Sequence, residues 1–213
     1  MPRQTFQHVD TWVFDLDNTL YPPRMRLFDQ IDARMTDYVM RLTGADKAQS
    51  DRMRREYWQT YGTTLAGLMA HHRIDPEPFM AEVHDIDFSA LEPDPGLRDA
   101  IGRLKGRRVV YTNASVPYAR KVLAGRGLDG LFDAVYGVED ADYRPKPTPE
   151  AFARIFGIDG LEPRRAAMFE DDHRNLKVPH ALGMRTVLVT PEPAAHEHVH
   201  HHTDNLADFL HRL

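Results

Sequence analysis

Two aspartates two residues apart, Asp15 and Asp17, close a short apolar run, and Thr19 follows them. A carboxylate on an extended exit can attack phosphorus while a neighbour on the same side of the chain handles the leaving-group proton. Glu170, Asp171 and Asp172 stand together after another apolar run. Carboxylates held close repel one another, and a hard divalent cation relieves that cost. Oxygen ligands and retained water suit magnesium, so Mg2+ is the expected ion, with Asp15, Asp17, Glu170, Asp171 and Asp172 as its candidate ligands. Zinc would want histidine or cysteine, which these loops mostly lack, and His173 alone does not change that. A phosphate on the same ion would turn its remaining charge toward Lys146, the Thr112 hydroxyl and exposed backbone N–H groups.

Residues this far apart in sequence need elements that bring them together. Runs at Thr11–Phe14, 108–111, 134–138, 166–169 and 186–189 read as buried parallel strands, and helix-length stretches at 97–105, 118–125, 149–156 and 176–182 separate them. That alternation predicts a doubly wound, Rossmann-like α/β sheet. Ligands of such a sheet collect beyond the carboxyl ends of its strands, where Asp15, Thr112 with Asn113, Lys146 and Glu170 to Asp172 all fall.

One stretch breaks the rhythm. Between 21 and 92 no strand signal occurs, while Leu27, Phe28, Ile31, Met35, Tyr38, Val39 and Leu42 repeat at helical spacing. This predicts an inserted helical cap over 21–92, with further helices at 45–61, 63–72 and 77–83, on a core formed by 1–20 and 93–213. Tyr21 and Met25 leave the catalytic loop directly and are candidate substrate contacts, whereas Tyr57, Tyr61, His71 and His72 read as packing. Asn175 reads more readily as a helix cap than as a site residue. The histidines of 196–202 read as a surface loop after the last strand.

The remaining numbers bound the function. The chain has 213 residues, 42% of them hydrophobic and 28% charged, which allows a sizeable core. A net charge of -5 with scattered basic residues argues against nucleic acid as partner, and the absence of cysteine removes disulfides and thiolate chemistry. With no apolar leader or membrane-length run, the expectation is a cytoplasmic protein with no membrane partner.

At these same residues the sequence resembles the haloacid-dehalogenase-like phosphatase superfamily. Asp15-Leu16-Asp17-Asn18-Thr19 is similar to its first motif, Thr112-Asn113 to its second, Lys146 in the Arg144 to Glu150 loop to its third, and Glu170-Asp171-Asp172 to its fourth. The resemblance implies Asp15 as nucleophile and Asp17 as general acid and then base, its backbone carbonyl also touching the metal. Thr112 and Lys146 would hold the phosphoryl group, assisted by Leu16 and Asn113. Asp171 would be the metal ligand, with Glu170 or Asp172 helping directly or through water. The second aspartate favours phosphate chemistry, since the family's dehalogenases lack it. The stretches DLDNTLYP at 15–22 and YGTTLAGL at 61–68 look closest to the pyrimidine 5'-nucleotidase-like branch, which implies a nucleoside monophosphate as the small phosphorylated substrate. Sugar phosphates or phosphoglycolate, and a regulator that binds phosphate without turnover, are the alternatives. The fourth motif departs from commoner forms at Glu170 and Asp172, which leaves the metal shell open.

Overall fold

The computed structural model describes residues 2–192 and 195–213. Its centre is a six-stranded, wholly parallel sheet of β1 Thr11–Phe14, β2 Arg107–Tyr111, β3 Ala134–Tyr136, β4 Ala166–Glu170, β5 Arg185–Val189 and β6 His201–Thr203, ordered β3-β2-β1-β4-β5-β6. Side chains alternate across it. Trp12, Phe14, Ala167, Phe169 and Val187 pack into one apolar cluster, and Val13, Val109, Ala166, Met168 and Leu188 pack into the other. Both faces are thus dry, which is why these strands read as continuous apolar runs.

Helices α6 Pro95–Gly102, α7 Val116–Gly125, α8 Pro149–Asp159, α9 Lys177–Ala181 and α10 Leu206–His211 belong to this core, and α1 Pro2–Thr5 is a single turn before β1. Strand order reverses between β1 and β4, so the loops leaving them diverge and open a crevice at their carboxyl ends. Asp15 follows one of those strands and Asp171 the other. Among the described residues no helix is long and apolar enough to cross a membrane.

The insertion forms as expected from α2 Leu27–Thr43, α3 Lys47–Tyr61, α4 Thr64–His72 and α5 Pro76–Val83. Local chemistry sets its breaks. Asp46 and Gln49 make a reciprocal capping box at the start of α3, Thr63 caps α4, and Asp75 caps α5 just before Pro76. Gly62 ends α3 with φ +88, and a Cβ there would sit 3.3 Å from the Lys146 carbonyl, so the cap meets the lysine loop at a glycine. Gly67 lets α4 lie flat on α3, since a Cβ at that position would fall 2.2 Å from the Tyr57 ring. The cap helices pack chiefly on one another. His72 and His71 bond to the Tyr57 and Tyr61 hydroxyls, with both histidines exposed.

One buried side chain ties down both crossings between core and cap. Arg126, 3% exposed, donates to the Leu20 carbonyl where the chain leaves the core, and to the Glu92 carbonyl and the Asp94 carboxylate where it returns.

The sheet corrects one expectation. The histidine stretch is not all loop, because His201 to Thr203 pair with Val187 to Val189 as a sixth strand. An edge strand of three residues is held by backbone hydrogen bonds, so imidazoles can occupy it and the apolar signature is missing. The other boundaries shift by one to three residues, in part because Pro76 and Pro95 open their helices.

Candidate active site

Lys146 is the centre of the crevice. Its ammonium group, 1% exposed, donates to Asp15 Oδ1 at 2.7 Å, to Glu170 Oε2 at 2.7 Å and to the Tyr111 carbonyl at 3.0 Å. It thereby joins the carboxyl ends of β1, β2 and β4. Asn113 fixes the loop that carries it, its side-chain oxygen accepting the Lys146 N–H at 2.7 Å and its NH2 donating to the Lys146 carbonyl at 3.1 Å. The Lys146–Pro147 peptide bond is cis.

Asp15 accepts a second bond at Oδ2, from the Thr19 hydroxyl at 3.0 Å. The Thr112 hydroxyl accepts the Ala114 N–H at 2.9 Å, which leaves its own proton free for an incoming oxygen. Asp17 is held differently: its Oδ1 accepts the Tyr21 hydroxyl at 2.6 Å and the Tyr118 hydroxyl at 2.8 Å.

The charges do not balance within the protein. Asp15, Glu170 and Asp171 each place an oxygen within 4.8 Å of the others, and Lys146 is the cation in contact with the first two. Burial, with Glu170 next, pushes the Asp15 carboxyl up to about 7. Burial and the same neighbours push Asp171 well up, against the Asn18 amide, which donates to its Oδ2 at 3.2 Å. Burial also raises Asp17, while the two phenols pull it back. Burial opposes the charge on Lys146, yet Asp15 and Glu170 outweigh it and raise its pKa. Three acids around one lysine are a donor set for a hard, oxygen-seeking cation, and Mg2+ fits it.

Asp15, Thr112, Lys146, Glu170 and Asp171 therefore meet as the sequence suggests, and Asp17 lines the same cavity. Others stand elsewhere. The carboxylate of Asp172 is turned to Arg174, which it meets at 2.6 Å, and Asp172 caps the turn His173–Leu176, so it does not join the acid cluster. Both ends of the Asn113 amide meet the Lys146 backbone, which makes Asn113 a clamp with one N–H left over. Tyr21 is 1% exposed, its hydroxyl is on Asp17, and it stands behind that carboxylate, outside the cavity lining. Met25 packs against the core, outside the cavity lining, and the Leu16 side chain is fully buried, which leaves only its backbone to face a ligand. Asn175, read first as a cap, is buried and lines the cavity, while Asp172 does the capping.

Sequence reasoning missed three partners: Asn18 on Asp171, Tyr118 on Asp17, and His84, which stacks on the Tyr118 ring at 4.4 Å and bonds to the Ser115 hydroxyl at 2.9 Å. Asn18 was visible inside the first motif, with φ +60 suited to asparagine. For Tyr118 and His84 nothing local marked the role.

The cavity measures about 790 Å3 and lies between cap and core, within the range of small-molecule sites. Phe28, Met80, His84 and Trp58 line its cap side, and Trp58 carries the Arg174 guanidinium 3.6 Å from its ring centre.

The sequence model of one family, described as "haloacid dehalogenase-like hydrolase", matches residues 9–183. Phosphate metabolism protein 8 of Saccharomyces cerevisiae is 24% identical over 192 residues, which cover 82% of this chain and 60% of that protein. This chain thus spans about three fifths of the curated relative's length. Among solved structures, YfnB from Bacillus subtilis bound to magnesium superposes with a TM-score of 0.59 at 16% identity, over 96% of this chain and 98% of that one. L-2-haloacid dehalogenase from Xanthobacter autotrophicus superposes with a TM-score of 0.53 at 17% identity, over 87% and 79%. At such identities the structures speak for the fold.

Proposed function

We propose a phosphatase reading from the premise that this chain belongs to the haloacid dehalogenase-like hydrolase family. The protein is a magnesium-dependent phosphomonoester hydrolase that works through an aspartyl-phosphate on Asp15, with nucleoside 5'-monophosphates, pyrimidine ones first, as substrates. The observation that carries the reading is the excess of acid around Lys146: Asp15, Glu170 and Asp171 share one small volume and need a cation, which displacement of a halide does not.

In the first step an Asp15 oxygen attacks phosphorus in line with the ester oxygen, the P–O ester bond breaks, and Asp17 gives its proton to the leaving oxygen. Lys146 and the free Thr112 proton face the equatorial oxygens. In the second step Asp17 takes a proton from water, that water attacks the phosphorus, and the bond to Asp15 breaks to release phosphate. Bound Mg2+ supplies charge that offsets the phosphate's own. The raised pKa of Asp17 suits an acid that must be protonated first and ionised afterwards. Water needs an open cap in the second step, and the magnesium-bound YfnB structure, described as revealing interdomain movement, supports a cap that moves.

Nucleotide preference rests on the resemblance at 15–22 and on the Phe28 and Trp58 rings on the cap side, which offer a base something to stack on. Released phosphate measured over UMP, CMP, purine nucleotides, sugar phosphates and phosphoglycolate decides the substrate, with 2-chloropropionate beside them as the dehalogenation control. UMP and CMP are expected to lead, and Asp15→Asn to abolish release. Halide release without phosphate release would overturn the phosphatase reading, and a lead for sugar phosphates would overturn the nucleotide preference alone.

A further inference from the structure

The histidine stretch folds back on the fourth-motif loop. His173, which directly follows Asp172, stacks on His196 with ring centres 3.7 Å apart and planes 7° apart. His198 completes the group: its Nε2 lies 3.3 Å from His173 Nδ1, and its ring is 5.4 Å from that of His196. Each of the three rings offers a nitrogen within 4.8 Å of the other two. We propose that His173, His196 and His198 form a second metal site, of the zinc class, distinct from the carboxylate site for Mg2+.

Donor chemistry supports the assignment, and so does the spacing of His173 and His198; the His196 ring, which lies parallel to His173, has to turn edge-on for its nitrogen to face the same ion. Two nitrogens bound tetrahedrally to zinc at about 2.0–2.1 Å stand roughly 3.4 Å apart, close to the separation of His173 and His198 here. Neutral imidazole is the commonest ligand for borderline ions and a poor one for Mg2+, so the two sites sort their ions by ligand type. Three histidines leave a position for water.

The scaffold is built before any ion arrives. The buried Thr186 hydroxyl of β5 donates to the His198 carbonyl at 2.8 Å, and the Val199 N–H closes a turn on the His196 carbonyl at 3.0 Å. All three rings are partly buried, which limits their freedom yet leaves an ion a way in. Because His173 adjoins Asp171 and Asp172, an ion at this site would pin the β5–β6 connection to the loop that carries the acids.

The test titrates protein saturated with millimolar Mg2+, which fills the carboxylate site, with Zn2+ against a colorimetric chelator. One equivalent of Zn2+ per chain is expected to bind at submicromolar Kd, to weaken at least a hundredfold in His196→Ala/His198→Ala, and to persist in His211→Ala, whose histidine lies on α10. Co2+ in place of Zn2+ is expected to give the intense visible bands of tetrahedral coordination in wild type and not in the double variant. If the double variant does not fold, the single variant His196→Gln takes its place in both measurements. Equal Zn2+ affinity in wild type and variant, or weak octahedral Co2+ spectra in both, would overturn the proposal. Because the readouts are metal binding and spectra, they stand apart from the phosphatase assay.

Discussion

Lys146→Met removes one positive charge from the centre of the site and keeps nearly its volume. In the folded protein that charge meets Asp15 and Glu170 at 2.7 Å each, on a side chain that is 1% exposed. Breaking a buried pair by deleting one partner costs about 3–5 kcal/mol, because the carboxylates left behind have lost the water they would need. Part of that cost is recovered by protonation. Asp15 already sits near 7 with the lysine present, so without it the acid takes up a proton and the repulsion falls. A folded pKa above the unfolded one destabilises the fold as pH rises, so the gap between variant and wild type widens with pH. Urea unfolding without divalent ions is therefore expected to show a deficit of about 3 kcal/mol at pH 8 and a smaller one at pH 6.

Added Mg2+ separates structure from catalysis. An ion among the acids restores much of the variant's stability, since it replaces the missing charge. Turnover does not return, because a donor aimed at the developing charge is worth about 10²–10³ in kcat. A deficit below about 1 kcal/mol at pH 8, the scale of an exposed ion pair, would refute the reasoning about burial. A kcat within tenfold of wild type at saturating Mg2+ would refute the role at phosphate.

Burial holds the His84 imidazole down at about 4 from its ordinary 6.5, so between those values the unfolded chain gains a proton that the folded chain refuses. Stability then falls by up to about 3 kcal/mol as pH drops through that window, and His84→Gln is expected to flatten this slope in urea melts, an unchanged slope ruling the assignment out. Arg126→Lys keeps the charge but cannot reach the Leu20 carbonyl, the Glu92 carbonyl and Asp94 together, so a loss of about 2 kcal/mol is expected, with faster proteolysis at the two crossings. Tyr118→Phe removes a donor to ionised Asp17, so the pH limb of kcat set by that acid moves upward, at a stability cost of about 1 kcal/mol. A stable variant with an unmoved limb would separate Tyr118 from Asp17.

How much of this was legible depended on whether a residue's role was local. Asp15, Thr112 and Glu170 sit directly after strands that bury both faces, so apolar runs located them and topology did the rest. The cap helices were legible because Leu27 to Leu42 repeat at helical spacing and no strand signal interrupts 21–92. Roles that depend on a partner far along the chain were not. Asp172 and Asp171 are identical in type, yet Arg174 two residues on captures one and Asn18 holds the other. Tyr118 reaches Asp17 only once α7 packs on the sheet, and Arg126 meets the linkers only once the cap has closed its loop. The histidines of 196–202 looked distant from the acidic loops because sequence distance hides the neighbouring of β4 and β5 in the sheet.

A cap that must exclude water in one step and admit it in the next has to be held weakly, and the contacts across the cleft agree with that. Arg126 fixes the two crossings, so motion is confined to the helices beyond them. Those helices pack chiefly on one another, so the cap can move as a unit. Across the cleft, Trp58 rests on Arg174, a cation–π contact worth about 0.5–2 kcal/mol. That contact alone favours closure by roughly two- to thirtyfold, and His84 of the cap adds a second one, stacking on Tyr118 of α7 and bonding to Ser115 at its start. Arg174 is also the partner of Asp172, beside Asp171, the proposed metal ligand. The state of the cap is thereby felt at the acids, and a substrate that improves the Trp58 contact would tighten the same loop that holds the ion.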